Sequence, residues 1–219
     1  MGETVQLTAG DGHRFTAYRA SPNAKPRGGM VILQEIFGVT RHIRDLTDQY
    51  AGHGYLSVAP AMFDRVEPGI ELPYTEFQKG VEHTAALKLD QTLLDLKASI
   101  ESASEAGRTG VVGYCWGGTM AYLSACEFPI AAAVSYYGGR ITQYLDRKPR
   151  CPVMYHFGER DKGIPLATVA QVRAGHREGV FHIYPAGHGF NCAERADYDP
   201  DSARLALERT LRFLSDHVG

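Results

Sequence analysis

Cysteine is scarce in this chain of 219 residues: Cys115, Cys126, Cys151 and Cys192 are far apart, with no Cys-x-x-Cys pair and no neighbouring histidine pattern suited to zinc. That excludes a zinc-bound or disulfide-stapled scaffold and leaves free thiols. Charge of one sign is equally lacking. The formal net charge is -2, and no block of like charges interrupts the chain, so neither nucleic acid nor an anionic membrane surface is an expected partner. No stretch approaches the ~18 apolar residues of a spanning helix. The first residues, Met1-Gly2-Glu3-Thr4-Val5-Gln6, carry no basic start followed by an apolar run, so the expectation is a soluble, cytoplasmic protein. A Walker signature, internal repeats and linkers are absent too.

What is present suits one substantial core, since a single core serves up to roughly 250 residues. The expectation is a single domain over residues 1–219, monomeric or weakly homo-oligomeric. Residues 5–8 and 14–18 alternate in polarity about Gly10-Asp11-Gly12 and read as an antiparallel hairpin. Met30-Val31-Ile32-Leu33-Gln34 is continuous and apolar, as in a parallel strand covered on both faces. A helix over about 40–53 follows, with Ile43, Leu46, Tyr50 and Ala51 on one stripe. Strand 54–60, an irregular stretch over 61–80 and one helix over about 84–106 come next. Further strands over 111–114, 131–137, 152–157 and 180–184 alternate with helices over about 117–127, 166–176 and 202–217. This alternation predicts an α/β fold with a mostly parallel, doubly wound sheet.

The chemistry centres on Val111-Val112-Gly113-Tyr114-Cys115-Trp116-Gly117-Gly118. Two β-branched residues lead into a turn with glycine two residues before and two residues after Cys115, and helix-favouring residues follow. This is Gly-x-Nuc-x-Gly, a strand–turn–helix elbow that presents its central residue in strained geometry, with cysteine where serine is usual. Taken alone, it equally suits a buried, inert thiol in a tight turn. Asp161 and His188 each fall just after a predicted strand. The order nucleophile, acid, histidine is that of α/β-hydrolases, and open parallel sheets bind ligands at the carboxyl ends of their strands. Glu159 competes with Asp161 for the acid role. His188 is preferred as base over His156 and His182 because it lies in a Gly-rich loop rather than inside a strand. Glu35 also follows a strand, at the same expected edge.

Four segments together carry a family resemblance. Gln34-Glu35-Ile36-Phe37-Gly38, Gly113-Tyr114-Cys115-Trp116-Gly117-Gly118, Phe157-Gly158-Glu159-Arg160-Asp161 and Ala186-Gly187-His188-Gly189-Phe190 resemble the dienelactone hydrolase (carboxymethylenebutenolidase) family of α/β-hydrolases. The resemblance implies Cys115 as nucleophile, His188 as base and Asp161 as its orienting acid, with Glu35 controlling the proton on Cys115. It implies an oxyanion hole from the backbone N–H groups of Ile36 and Trp116, with no metal and no organic cofactor. Substrate contacts would come from Phe37 and from two basic residues that hold a carboxylate. Lys79 stands near the first basic position. The second falls on Cys192, a departure from the family pattern, and Arg195 lies three residues further on. The expected activity is opening of an enol-lactone or cleavage of an activated ester. A thioesterase or broad carboxylesterase is the alternative, and a non-catalytic binding or redox-sensing protein is the reading outside enzymes.

Overall fold

The computed structural model describes residues 2–219. The chain divides into two compact units, one extending to Gly110 and the other over Val111–Gly219. In the first unit, β1 (Glu3–Thr8) and β2 (Arg14–Ala20) form the expected antiparallel hairpin, with Val5 opposite Ala17 and Leu7 opposite Phe15. β2 continues antiparallel against β4 (Tyr55–Pro60), and β4 lies parallel to β3 (Gly28–Leu33), giving the order β1-β2-β4-β3. Every residue of β3 and β4 is buried, which explains why both read as uninterrupted apolar runs rather than as alternation. α1 (Arg41–Gly52) buries Ile43, Leu46, Tyr50 and Ala51, the stripe that its 3.6-residue period marks out.

The stretch after β4 is more ordered than its sequence suggests. A 3-10 turn occupies Met62–Arg65, α2 runs over Phe77–Ala86, and α3 spans Leu89–Ser104. The single helix expected over 84–106 is thus two helices, parted where Leu87 and Lys88 both adopt extended backbone, ψ 133 and 128. The apolar positions alone did not reveal this break, because the buried face of α3 includes polar groups. Asp95 on that face is 1% exposed and accepts hydrogen bonds from Arg65 Nε at 2.7 Å and Nη2 at 2.8 Å. A buried charge survives only when paired and hydrogen-bonded in this way, so the pair ties α3 to the 3-10 turn.

The second unit takes β5 (Thr109–Tyr114), which spans the boundary, then β6 (Ala132–Tyr136), β7 (Val153–Gly158) and β8 (Val180–Tyr184), in the order β5-β6-β7-β8. β6, β7 and β8 are parallel, with Tyr136 opposite His156 and His156 opposite His182. Their helices are α4 (Trp116–Glu127), α5 (Leu166–Gly175) and α6 (Pro200–His217). A buried polar chain crosses this unit. His156 Nδ1 lies 2.7 Å from the Tyr184 hydroxyl, His156 Nε2 lies 3.0 Å from Thr210 Oγ1, and Thr210 Oγ1 lies 2.8 Å from the Tyr136 hydroxyl. Burial pushes the His156 imidazole well below its ordinary range, so it serves as a neutral bridge between three elements and not as a base.

Among the described residues the fold is therefore α/β, with eight strands, mostly parallel but for the antiparallel N-terminal pair, and six α-helices. Parallel strands bring their carboxyl ends to one edge, and in the second unit the loops after β5, β7 and β8 carry Cys115, Asp161 and His188. Among the described residues, no helix is long and apolar enough to cross a membrane.

Candidate active site

The elbow after β5 forces Cys115 into an unusual backbone conformation, φ 55 and ψ -117. For a residue with a side chain this costs about 1–3 kcal/mol and persists only where the surroundings impose it. Two contacts do so. The Cys115 N–H donates to the Tyr136 carbonyl at 3.0 Å, and the Cys115 carbonyl accepts from the Gly118 N–H at 2.9 Å. The glycine two residues earlier is a spatial requirement, since a Cβ on Gly113 would lie 1.9 Å from the Gly117 carbonyl oxygen. The thiol is partly exposed at the head of α4, and Trp116 is that helix's first residue.

Asp161 lies in the turn after β7 with its side chain fully buried. Its Oδ1 accepts from the Gly163 N–H at 2.8 Å and the Ile164 N–H at 3.1 Å, which aims Oδ2 at His188 Nδ1, 2.7 Å away. The rival Glu159 is exposed, and its backbone N–H bonds to the Tyr184 carbonyl at 2.8 Å. His188 Nε2 then lies 3.2 Å from Cys115 Sγ. Burial by itself pushes the imidazole pKa down. The negative charge and hydrogen bond of Cys115, with the hydrogen bond and charge of Asp161, outweigh that and raise it to about 10. Such a row can hold an imidazolium beside a thiolate, the protonation state in which cysteine is nucleophilic.

The loop that carries His188 is held from both sides. The Arg160 N–H donates to the Ala186 carbonyl at 3.0 Å, and the Arg160 guanidinium donates to the Pro185 carbonyl, so the acid-bearing and histidine-bearing loops are laced together. Gly189, at φ 80, leaves room for the Arg195 guanidinium, which a Cβ there would meet at 2.6 Å. Arg195 is therefore packed against the residue next to His188. Cys192 is fully buried. Cys126 and Cys151 have their pKa values pushed up by burial to about 11 and about 12, so neither is a competing nucleophile.

Four other candidates belong to the first unit. Glu35 lies two residues past β3 and is 1% exposed, while neighbouring Gln34 accepts from the Met62 N–H at 3.0 Å and donates to the Glu35 carbonyl at 3.3 Å. Phe37 is buried, its ring edge-on to Tyr74 at 4.7 Å. The Ile36 carbonyl packs against Gly80, where a Cβ would approach to 2.3 Å, and Lys79 is the exposed residue just before it on α2. Thus within this unit α2 packs by Gly80 against the loop that carries Glu35, Ile36 and Phe37, although 44 residues separate Glu35 from Lys79.

One residue of the site escaped the sequence reading. Among the described residues, Cys115 and Tyr137 are the non-glycine residues at positive φ, and Tyr137, at φ 40, is fully buried with its ring centroid 5.1 Å from that of His188. The only hint in the sequence is the Tyr136-Tyr137-Gly138-Gly139 ending of β6.

Comparisons with known proteins converge. The dienelactone hydrolase family matches residues 15–218. A carboxymethylenebutenolidase of Pseudomonas putida is 33% identical, over 98% of this chain and 97% of its own length. Another, from Pseudomonas sp. strain P51, is 32% identical, over 98% and 95%. A crystal structure from Klebsiella pneumoniae, named "Putative Dienelactone Hydrolase", superposes with a TM-score of 0.86 at 30% identity, covering 97% of this chain and 99% of that one.

Proposed function

The chain belongs to the dienelactone hydrolase family, a family of α/β-hydrolase fold, and from that membership we propose that it opens an enol-lactone or cleaves an activated ester through a Cys115 acyl-enzyme. The observation that carries this reading is the unbroken row from Asp161 through His188 to Cys115, with contacts of 2.7 and 3.2 Å. The Cys115 thiolate attacks the carbonyl carbon, and the developing oxyanion faces the first N–H of α4, that of Trp116, where a preorganised donor is worth roughly 3–4 kcal/mol. Collapse breaks the bond to the leaving oxygen, which takes the proton from the His188 imidazolium. His188 then accepts a proton from water as that water attacks the thioester, and the thiolate departs.

Cysteine also constrains the substrate. The tetrahedral intermediate expels its weaker base, and a thiol of pKa ~8.5 leaves far more readily than a simple alkoxide, for which water at ~15.7 is a fair proxy. Plain alkyl esters therefore revert, whereas enolates, phenolates and thiolates leave. Activity is expected to rise steeply from ethyl to aryl or enol esters of one acid, with a stoichiometric burst of phenol from the aryl ester. A flat series without a burst removes the acyl-enzyme. Higher kcat/KM on thioesters than on enol-lactones favours the thioesterase reading of the same site.

Arg195, beside the histidine loop, is the proposed holder of a substrate carboxylate. Arg195→Ala is expected to raise KM for carboxylate-bearing lactones by a factor reflecting roughly 1.5–3 kcal/mol of lost charged hydrogen bonding. Neutral aryl esters should be nearly unaffected. Equal losses on both would make Arg195 structural.

A further inference from the structure

The two non-glycine residues at positive φ among the described residues, Cys115 and Tyr137, are joined through a single peptide group. The Tyr136 carbonyl accepts the Cys115 N–H at 3.0 Å, and on the other side of the same peptide the Tyr137 N–H donates to the His156 carbonyl at 2.8 Å. His156 is itself fixed by the Tyr184 and Thr210 hydroxyls. β7 therefore anchors the peptide that both seats the nucleophile and turns the Tyr137 side chain out of the regular strand path. The turned ring ends against the His188 imidazole, at 5.1 Å and an interplanar angle of 59°, and is backed edge-on by Phe190 at 5.4 Å. A ring centroid this close lies within the range at which an aromatic face attracts a cation.

We propose that Tyr137 is a positioning residue, whose strained backbone and buried ring hold the His188 imidazole in line between Asp161 and Cys115 and favour its protonated form. Tyr137 lies just past the end of β6, and although its N–H still bonds to β7, its side chain has left the strand path. What the strain achieves is the placement of an aromatic ring beside the imidazole, whose two partners act through its in-plane nitrogens and leave both ring faces unconstrained. The inference rests on the reading of Cys115, His188 and Asp161 as a working triad, and deepens it.

The test compares Tyr137→Phe, which keeps the ring, with Tyr137→Met and Tyr137→Gly, which remove it. Methionine refills much of the volume, and glycine relieves the backbone strain. Each is assayed for kcat and KM on an aryl ester, and the His188 pKa is read by 15N NMR. Tyr137→Phe should keep kcat and the His188 pKa near the parent values. The ring-less variants should lose kcat by about 10²-fold with KM little changed, as expected when a catalytic group is misplaced by about an ångström. Their His188 pKa should fall from about 10 toward its ordinary 6.5, as the imidazole leaves the two partners that raise it. A folded ring-less variant that keeps both kcat and the raised pKa overturns the proposal, as does a Tyr137→Phe variant that behaves like the ring-less ones. Should neither ring-less variant fold, the parent decides: cross-relaxation between the Tyr137 and His188 ring protons is expected, and its absence overturns the proposal. Cys115→Ala is assayed alongside. If that variant keeps its turnover, the triad reading fails, whatever the Tyr137 variants show.

Discussion

Cys115→Ala and His188→Ala are each expected to reduce turnover of an enol-lactone or aryl ester by about 10⁴–10⁶-fold, with circular dichroism and thermal unfolding near those of the parent. In hydrolases with comparable triads, removing the nucleophile or the base alone costs about as much as removing both, because the two act in a single proton-coupled step. The double variant is therefore expected to be no slower than the worse single. Additive losses would mean that the two residues act in separate steps. Near-normal hydrolysis by Cys115→Ala would refute a thiolate nucleophile, and the solvent-accessible thiol would then be better explained by redox sensing. The substitutions should be tolerated structurally, since alanine at 115 relieves none of the φ 55 strain but leaves the glycine-lined elbow intact.

The second large effect concerns Asp161 and the proton on His188. Asp161→Asn preserves shape, but an asparagine amide can present its N–H₂ to the imidazole and favour the wrong tautomer, which in a serine protease triad costs about 10⁴-fold in kcat. A loss of similar order is expected here. The pH behaviour gives an independent reading. His188 is raised from 6.5 to about 10, so the imidazolium required to protonate the leaving group persists through neutral pH and is lost as pH rises through about 10. The alkaline limb of kcat/KM should lie near that value. Both Cys115→Ala and Asp161→Asn should lower the His188 pKa measured by 15N NMR, and the cysteine variant should lower it further, because the thiolate charge is the larger raising influence. An unchanged His188 pKa in both variants would show that these contacts do not persist in solution.

The parts of the site that could be read in the sequence are those whose physical requirement is local. An elbow needs β-branched residues before it, glycine where the helix would collide, and a nucleophile between; all of these lie within eight consecutive residues. Asp161 and His188 were legible because a residue just beyond a strand reaches the sheet edge whatever the remaining packing. Family spacing pointed to Cys192 for the second basic position, with Arg195 three residues further on, and the structure seats Arg195 against Gly189. Tyr137 was not legible, because tyrosine carries no intrinsic preference for φ 40; that conformation comes from two hydrogen bonds supplied by β7 and the elbow. Nor was the break at Leu87 and Lys88, where the apolar spacing runs on as though one helix continued, or the buried pairing of Asp95 with Arg65, 30 residues apart.

By itself, then, the sequence determined the fold class, the alternation of strands and helices and the family, and it put three candidate residues at strand ends. Hydrophobic period, turn chemistry and short motifs are properties of neighbouring residues, and they survive without knowledge of the rest of the chain. The tertiary structure decided the distances between those residues. His188 meets Cys115 across 73 residues and Asp161 across 27, and whether these gaps close to 3.2 and 2.7 Å depends on strand register, on the amide cradle around Asp161 and on the ring of Tyr137. Each of these is a packing outcome summed over many weak contacts, and no single stretch of sequence encodes it.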